Sequence, residues 1–228
     1  LYPPIIKSYS SNSKNEMFSL IFNGSKLTFF LMWIIALPLL IELEMILSIW
    51  LKNVPPLAVL FTQLTIIESL ILSISLPLAT AARAPGKMKT YELTLGIIQL
   101  SIFFVSWIIL KMGYPAYTVF VVAIIVNIAM FFVRLVIVSN LIGLSKKSFT
   151  VRVVFPIICV ILLSLTPTHF IQKILPIGVI YSIIVIISSV LISTCAMFYI
   201  GIDKIWREKT KGYIYNKIAL TFFKKNKQ

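Results

Sequence analysis

Six long apolar runs, at approximately residues 27–51, 57–82, 91–112, 116–142, 153–171 and 174–202, constrain this chain more than any other feature. As a helix rising about 1.5 Å per residue, each is long enough to cross roughly 30 Å of hydrocarbon, the fifth only just. The runs are continuously apolar and lack the alternating ten-residue pattern of a barrel strand, so helices are expected. The expected fold is an all-α integral membrane protein, a six-transmembrane-helix bundle. Of the 228 residues, 59% are hydrophobic and 12% charged, where a soluble domain carries about 25% charged residues. That excludes a water-soluble globular chain. The domain reading is a helix end and linker over 1–26, a helical lobe over 27–202 and a basic tail over 203–228. Pro38, Pro77 and Pro156 fall inside spans and are expected kinks, tolerated where neighbouring helices satisfy the freed carbonyls.

The 21 Lys and Arg against 7 acids give a formal charge of +14, which on a soluble protein would suggest nucleic acid as a partner. Here the positions of the charges give a different reading, with no nucleic-acid partner. Eighteen of the cations flank one side of the six spans, and only Lys52, Lys111 and Lys173 flank the other. Lys and Arg are retained on the cytoplasmic side, so both termini of the chain are expected there. Trp50, Trp107, Tyr114 and Tyr117 would then sit near the outer interface, and Tyr91, Tyr199 and Trp206 near the inner one; chance scatter in an aromatic-rich chain is the alternative. The basic tail, with Trp206, Tyr213, Tyr215, Phe222 and Phe223 interspersed, suits a surface of anionic lipid. Cys159 and Cys195 lie within apolar runs, where packing is expected and a disulfide or metal site is not.

Polar residues at membrane depth need an interior or a water-filled cavity to face. Thr62, Thr65, Ser69, Ser73 and Thr80 share one face of the second span, with Glu68 and Ser75 at its edge. Such a face suits the wall of an aqueous cavity, or alternatively a set of interhelical hydrogen bonds. Glu68 is a candidate for ion coupling, as are Glu42 and Glu44 in the outer half of the first span. Two positions apart on a helix means about 200°, so Glu42 and Glu44 are not expected to face one cavity; pairing of either with Lys52 is the structural alternative. Arg134 follows Asn127 by seven residues and shares its face. A guanidinium matches phosphate oxygens in a fork geometry, which suits Arg134 to a pyrophosphate group, against the alternative of snorkelling to the inner interface. His169, the one histidine, is expected in the loop after the fifth span, without a role.

No acid cluster at an interface, Ser-His or Cys-His pairing, phosphate-cradling glycine loop or long soluble segment is visible. An enzyme is therefore not expected, nor a cofactor or metal.

Several stretches together resemble a known family. The opening LYPPIIKSYSSN is similar to the cytoplasmic helix end and N-P-x-I-x-K-x-Y-type segment of the multidrug/oligosaccharidyl-lipid/polysaccharide flippase superfamily, in its O-antigen or lipopolysaccharide branch. LPLLIELEMILSIWLKNVP, PLATAARAPGKMKTYEL, LKMGYPAY and FFVRLVIV continue the resemblance in order over roughly residues 1–140, and residues 150–228 follow it by hydrophobic pattern only. Arg83 and Pro85 depart from the family's A-T-G-K-I-K turn, so no role is carried onto them. The resemblance implies the C-terminal lobe of a two-lobed alternating-access exporter, with an N-terminal lobe of the same protein as partner, which agrees with a chain that begins at Leu1. It implies a bacterial inner membrane and an undecaprenyl-diphosphate-linked oligosaccharide as substrate, moved for surface polysaccharide synthesis. Arg134, Asn127, Thr65, Ser69 and Ser73 would then line the substrate cavity, and Glu68, Glu42 and Glu44 would serve coupling to an ion gradient. A multidrug and toxin exporter is the nearest alternative. A membrane-embedded transferase of the same pathway, the membrane domain of an ATP-driven exporter and a structural subunit stand further off.

Overall fold

The computed structural model describes residues 2–51, 53–86, 88–203 and 207–208. Among them there are helices and no strands: α1 (Tyr2–Ser10), α2 (Lys14–Trp50), α3 (Ala58–Arg83), α4 (Met88–Lys111), α5 (Thr118–Ile142), α6 (Lys146–Ile174) and α7 (Val179–Gly201). The six from α2 to α7 are long and apolar enough to cross a membrane. Lys52, Lys87, Trp206 and the basic tail beyond Glu208 lie outside the described residues. Short turns connect the helices, with Gly113 and Gly143 in left-handed conformation just after α4 and α5, where a side chain would clash with its own backbone.

The long helices alternate in direction. α2, α4 and α6 begin at one end of the bundle, where α3, α5 and α7 finish. Lys14, Lys26, Arg83, Lys89, Lys146, Lys147 and Arg152 gather at that end, and Lys111 and Lys173 at the other. The two are called the basic end and the far end below.

α2 is the hub. Of its most apolar stretch 44% is buried, against 11% for α4 at the rim. Side by side the helices run α4, α5, α3, α2, α7, with α6 in the angle between α7 and α2. Phe22, Phe29, Phe30, Trp33 and Leu37 of α2 form the centre of the core, with Leu78 of α3 and Phe149, Val153 and Val160 of α6. Lipid drives no apolar collapse between helices, so close packing and a few interhelical hydrogen bonds must hold this centre. Trp33 Nε1 donates to Ser164 Oγ at 2.9 Å, tying α2 to α6. Phe29 stacks on Trp33 with ring centroids 6.0 Å apart.

Residues before position 27, read as a linker, are helical for the most part: α1 packs Ile5 under the bundle, and α2 starts at Lys14. α2 leaves helical geometry at Glu42 (φ −108°, ψ 21°), one turn beyond Pro38. Proline has no N–H for the carbonyl four residues back, and its ring crowds that turn. Near Pro156 the accommodation differs, since residues Thr150–Val154 of α6 widen into a π-helical turn just before it. A second π turn, Met197–Gly201, ends α7. At Pro77 no non-helical residue interrupts α3.

Candidate functional site

α3 and α5 run parallel and meet every seven residues. Phe61 stacks on Phe120 with centroids 5.3 Å apart, Asn127 Nδ2 donates to Glu68 Oε1 at 2.9 Å, and Arg134 Nη1 donates weakly to the Ser75 carbonyl at 3.4 Å. A seven-residue step is the repeat of a left-handed parallel helix pair. This seam therefore carries an ionisable group, an amide and a guanidinium down one apolar contact. Asn127 is buried, and its Oδ1 has no hydrogen-bond partner among the described residues; neither has Arg134 Nε.

Glu68, expected to couple an ion, and Asn127, expected in the substrate cavity, are thus brought together, and Arg134 lies two turns further along the same seam, against the Ser75 carbonyl. The others separate. Thr65 is exposed and Ser69 half-buried, on the open side of α3 between its contacts with α2 and α5, together with Thr62 and Thr80. Ser73 turns into the α2 contact: its hydroxyl donates to the Leu70 carbonyl at 2.7 Å, and its own carbonyl accepts from Thr28 Oγ1 at 2.9 Å.

A second polar site lies toward the far end, at the break in α2. The carbonyls of Leu40 and Ile41, just before the break, accept from Gln63 Nε2 of α3 at 3.3 Å and Gln172 Nε2 of α6 at 2.9 Å. Gln172 also donates to Glu42 Oε1 at 3.1 Å. Two side-chain amides from neighbouring helices thus serve the interrupted backbone, which membrane depth requires. A cavity of about 540 Å³ opens here, with Glu42, Glu44, Ser48, Gln172, Tyr181 and Ser182 on its wall. The expectation that Glu42 and Glu44 cannot share a cavity is corrected: the 200° separation holds for a regular helix, and the irregular residue is Glu42 itself. Glu42 is buried and Glu44 exposed.

At the basic end a crevice of about 240 Å³ lies between α3, α4 and α5, with Arg83, Tyr91, Glu92, Gln99 and Arg134 on its wall. Beside α2 on the same end, Lys26 Nζ meets Asp203 Oδ1 at 2.6 Å. Lys26 is 3% exposed and Asp203 53%.

Two further expectations are corrected. His169 lies inside α6, on an exposed face, instead of in a loop, because that helix runs on to Ile174 before Leu175 turns extended. Tyr91 is buried within the bundle and is not an interface anchor. Trp50, Trp107 and Tyr114 are exposed near the far end, with Lys111 Nζ 5.1 Å from the Trp107 ring. Cys159 and Cys195 are free thiols.

Sequence reasoning missed Gln63, Gln172, Tyr91 and the Lys26–Asp203 pair. For the glutamines a signal existed: an amide inside an apolar run needs a partner, and a proline-broken helix supplies carbonyls. For the pair none existed, since Lys26 reads as one more flanking cation.

Fold and site together define a multi-pass membrane protein, an all-α bundle with polar groups buried along a helix seam and at a broken helix. No protein family, curated protein or solved structure matches the chain.

Proposed function

We propose that this chain is one lobe of an ion-coupled flippase that moves a lipid-diphosphate-linked oligosaccharide across the bacterial inner membrane for surface polysaccharide synthesis, with the basic end toward the cytoplasm. The observation that carries this reading is the Glu68–Asn127 contact. Ionisable groups at membrane depth cost about 2.5–3.5 kcal/mol on insertion scales. An apolar pair would hold α3 to α5 without that penalty, so a role in binding a moving ion accounts for the carboxylate. The broken α2, with Glu42 beside an open cavity, supports the same reading, because interrupted helices near the substrate path are a recurrent device of transporters. Arg134, seven residues toward the basic end, is the proposed contact for the diphosphate. Thr65 and Ser69 would face a second lobe across the open side of α3.

Glu68→Gln is the direct test. Gln keeps the shape and can still accept from Asn127, but it cannot ionise. In proteoliposomes of the full-length protein, flipping by the variant should lose its dependence on a proton or sodium gradient; a dependence equal to wild type would reject coupling through Glu68. Arg134→Ala should abolish surface polysaccharide in cells at normal expression. Sensitisation of a deletion strain to cationic drugs with intact surface glycans would instead favour a drug exporter.

A further inference from the structure

The crevice between α3, α4 and α5 holds more donor capacity than the protein uses. Tyr91, at the first turn of α4, is 2% exposed, yet its hydroxyl has no hydrogen-bond partner among the described residues. Arg134 Nε is likewise buried without one, and Nη1 reaches a carbonyl only at 3.4 Å. Buried donors are almost always satisfied, and a charged one left idle in a low-dielectric setting is costly. Both residues line the same crevice of about 240 Å³, which has ample room for a ligand group, given that a single water needs about 10–15 Å³.

The charge balance of the wall points the same way. Glu92 is the one acid among the described residues of its wall, and its carboxylate lies 3.8 Å from Arg83 Nη2. Arg134 has no acidic partner among the described residues, so the crevice keeps one uncompensated guanidinium, supported by Arg83, a phenol and the Gln99 amide. Planar guanidinium donors match the oxygens of a phosphate. α4 packs on α5 and barely touches α3, so the crevice is open at the rim of the bundle. Its place at the basic end is the depth at which phosphate headgroups lie if that end faces an anionic leaflet.

We infer that this crevice is a binding site for a phosphate group, with Arg134, Arg83 and Tyr91 as its donors. The inference rests in part on the transport reading, which already places a diphosphate on Arg134, and adds Arg83 and Tyr91 as donors; binding at equilibrium requires no flipping, so the two fail separately.

The test is thermal unfolding of the whole purified, delipidated chain in detergent, titrated separately with phosphatidylglycerol, inorganic pyrophosphate and diacylglycerol. Wild type and the control Lys147→Gln, at the same end but outside the crevice, should show a saturable rise in Tm with phosphatidylglycerol and none with diacylglycerol. Arg134→Gln and Arg83→Gln should need at least tenfold more phosphatidylglycerol for half the rise, and Tyr91→Phe several-fold more. A rise with pyrophosphate as well assigns recognition to the phosphate alone, and its absence assigns it to the lipid headgroup; either supports the site. Arg83 is about half exposed, so its substitution keeps the test open if Arg134→Gln does not fold. No saturable rise in wild type, an equal rise with diacylglycerol, or wild-type half-saturation in both Arg83→Gln and Tyr91→Phe would overturn the assignment. Loss of ion-coupled flipping in Glu68→Gln would be unaffected by any of these outcomes.

Discussion

α7 ends in close contact with α2, and Gly201→Ala tests that fit. A Cβ on Gly201 would lie 2.5 Å from both Cε2 and Cζ of Phe30 and 3.3 Å from Cδ2, where carbon atoms rest at about 3.5–4.0 Å. The ring would have to retreat by about 1 Å, and there is nowhere for it to go. Phe30 is 1% exposed, with the Phe29 ring edge-on to it at 6.2 Å. Moving the helix end instead would stretch the 2.6 Å contact between Asp203, two residues on, and Lys26, one turn before Phe30. Overpacking of this kind costs about 1–3 kcal/mol. At roughly 2–4 °C per kcal/mol for a chain of this size, Gly201→Ala should lower Tm in detergent by about 2–12 °C. The sharper readout is a cycle with Phe30→Leu. Leu vacates the space the new methyl needs, so the double variant should be more stable than the sum of the singles by about 1 kcal/mol or more, above the ~0.5 kcal/mol scatter of independent sites. A Gly201→Ala protein that melts within about 1 °C of wild type would refute the packing argument. Additive singles would refute its attribution to Phe30.

Asp203→Asn should destabilise more than Lys26→Met, by roughly 2 kcal/mol or more against under about 1 kcal/mol, because the first strands a buried ammonium while the second leaves a half-exposed carboxylate in water; equal melting shifts would contradict this. Gln172→Leu removes the donor to the Ile41 carbonyl and should cost about 1–3 kcal/mol, with faster amide exchange confined to residues near 38–45 as its signature. Ser164→Ala leaves Trp33 Nε1 without an acceptor and should cost about 0.6–1.7 kcal/mol, between the average and the maximum for interhelical hydrogen bonds in a bilayer, readable as a shift in denaturant midpoint.

Much of the architecture was legible because hydropathy marks hydrocarbon directly, and six apolar runs became six long helices. Helix ends were less so. α2 starts at Lys14 although its apolar run starts near 27, since backbone hydrogen bonding continues past the point where the side chains become polar. The break in α2 was announced by Pro38 but falls one turn later, and that displacement lets Glu42 and Glu44 share a cavity. Regular geometry, the assumption used to separate them, fails at the very residue in question. Glu68, Asn127 and Arg134 could each be singled out as costly in a membrane. That Asn127 meets Glu68 and Arg134 meets the Ser75 carbonyl depended on which helices are neighbours, a tertiary fact that no periodicity along one helix contains. One trace of it is present: an aromatic residue followed by two polar ones recurs at seven-residue steps in both helices, as Phe61, Glu68 and Ser75 in α3 and Phe120, Asn127 and Arg134 in α5. Tyr91 was misplaced because a tyrosine near a span end reads the same whether it faces lipid headgroups or the inside of the bundle.

The polar residues of α3 divide by whether a helix can satisfy them alone. Thr62 donates to the Ala58 carbonyl at 2.8 Å, Thr65 to Phe61 at 2.9 Å and Thr80 to Leu76 at 3.2 Å. Such back-bonding leaves a hydroxyl free to face water, lipid or another helix at little cost. The threonine stripe therefore fits a cavity wall and a lipid-facing surface equally, and polarity there carries little functional weight. A carboxylate, a carboxamide or a guanidinium has no equivalent local solution, because a helix has no spare backbone donors in its interior and its carbonyls are already engaged. Glu68, Asn127 and Arg134 must find partners on other helices or in a ligand, and Asn127 Oδ1 and Arg134 Nε find none among the described residues. Functional weight consequently moves from the stripe, where sequence polarity is densest, to the α3–α5 seam, where it is sparse but cannot be satisfied within one helix.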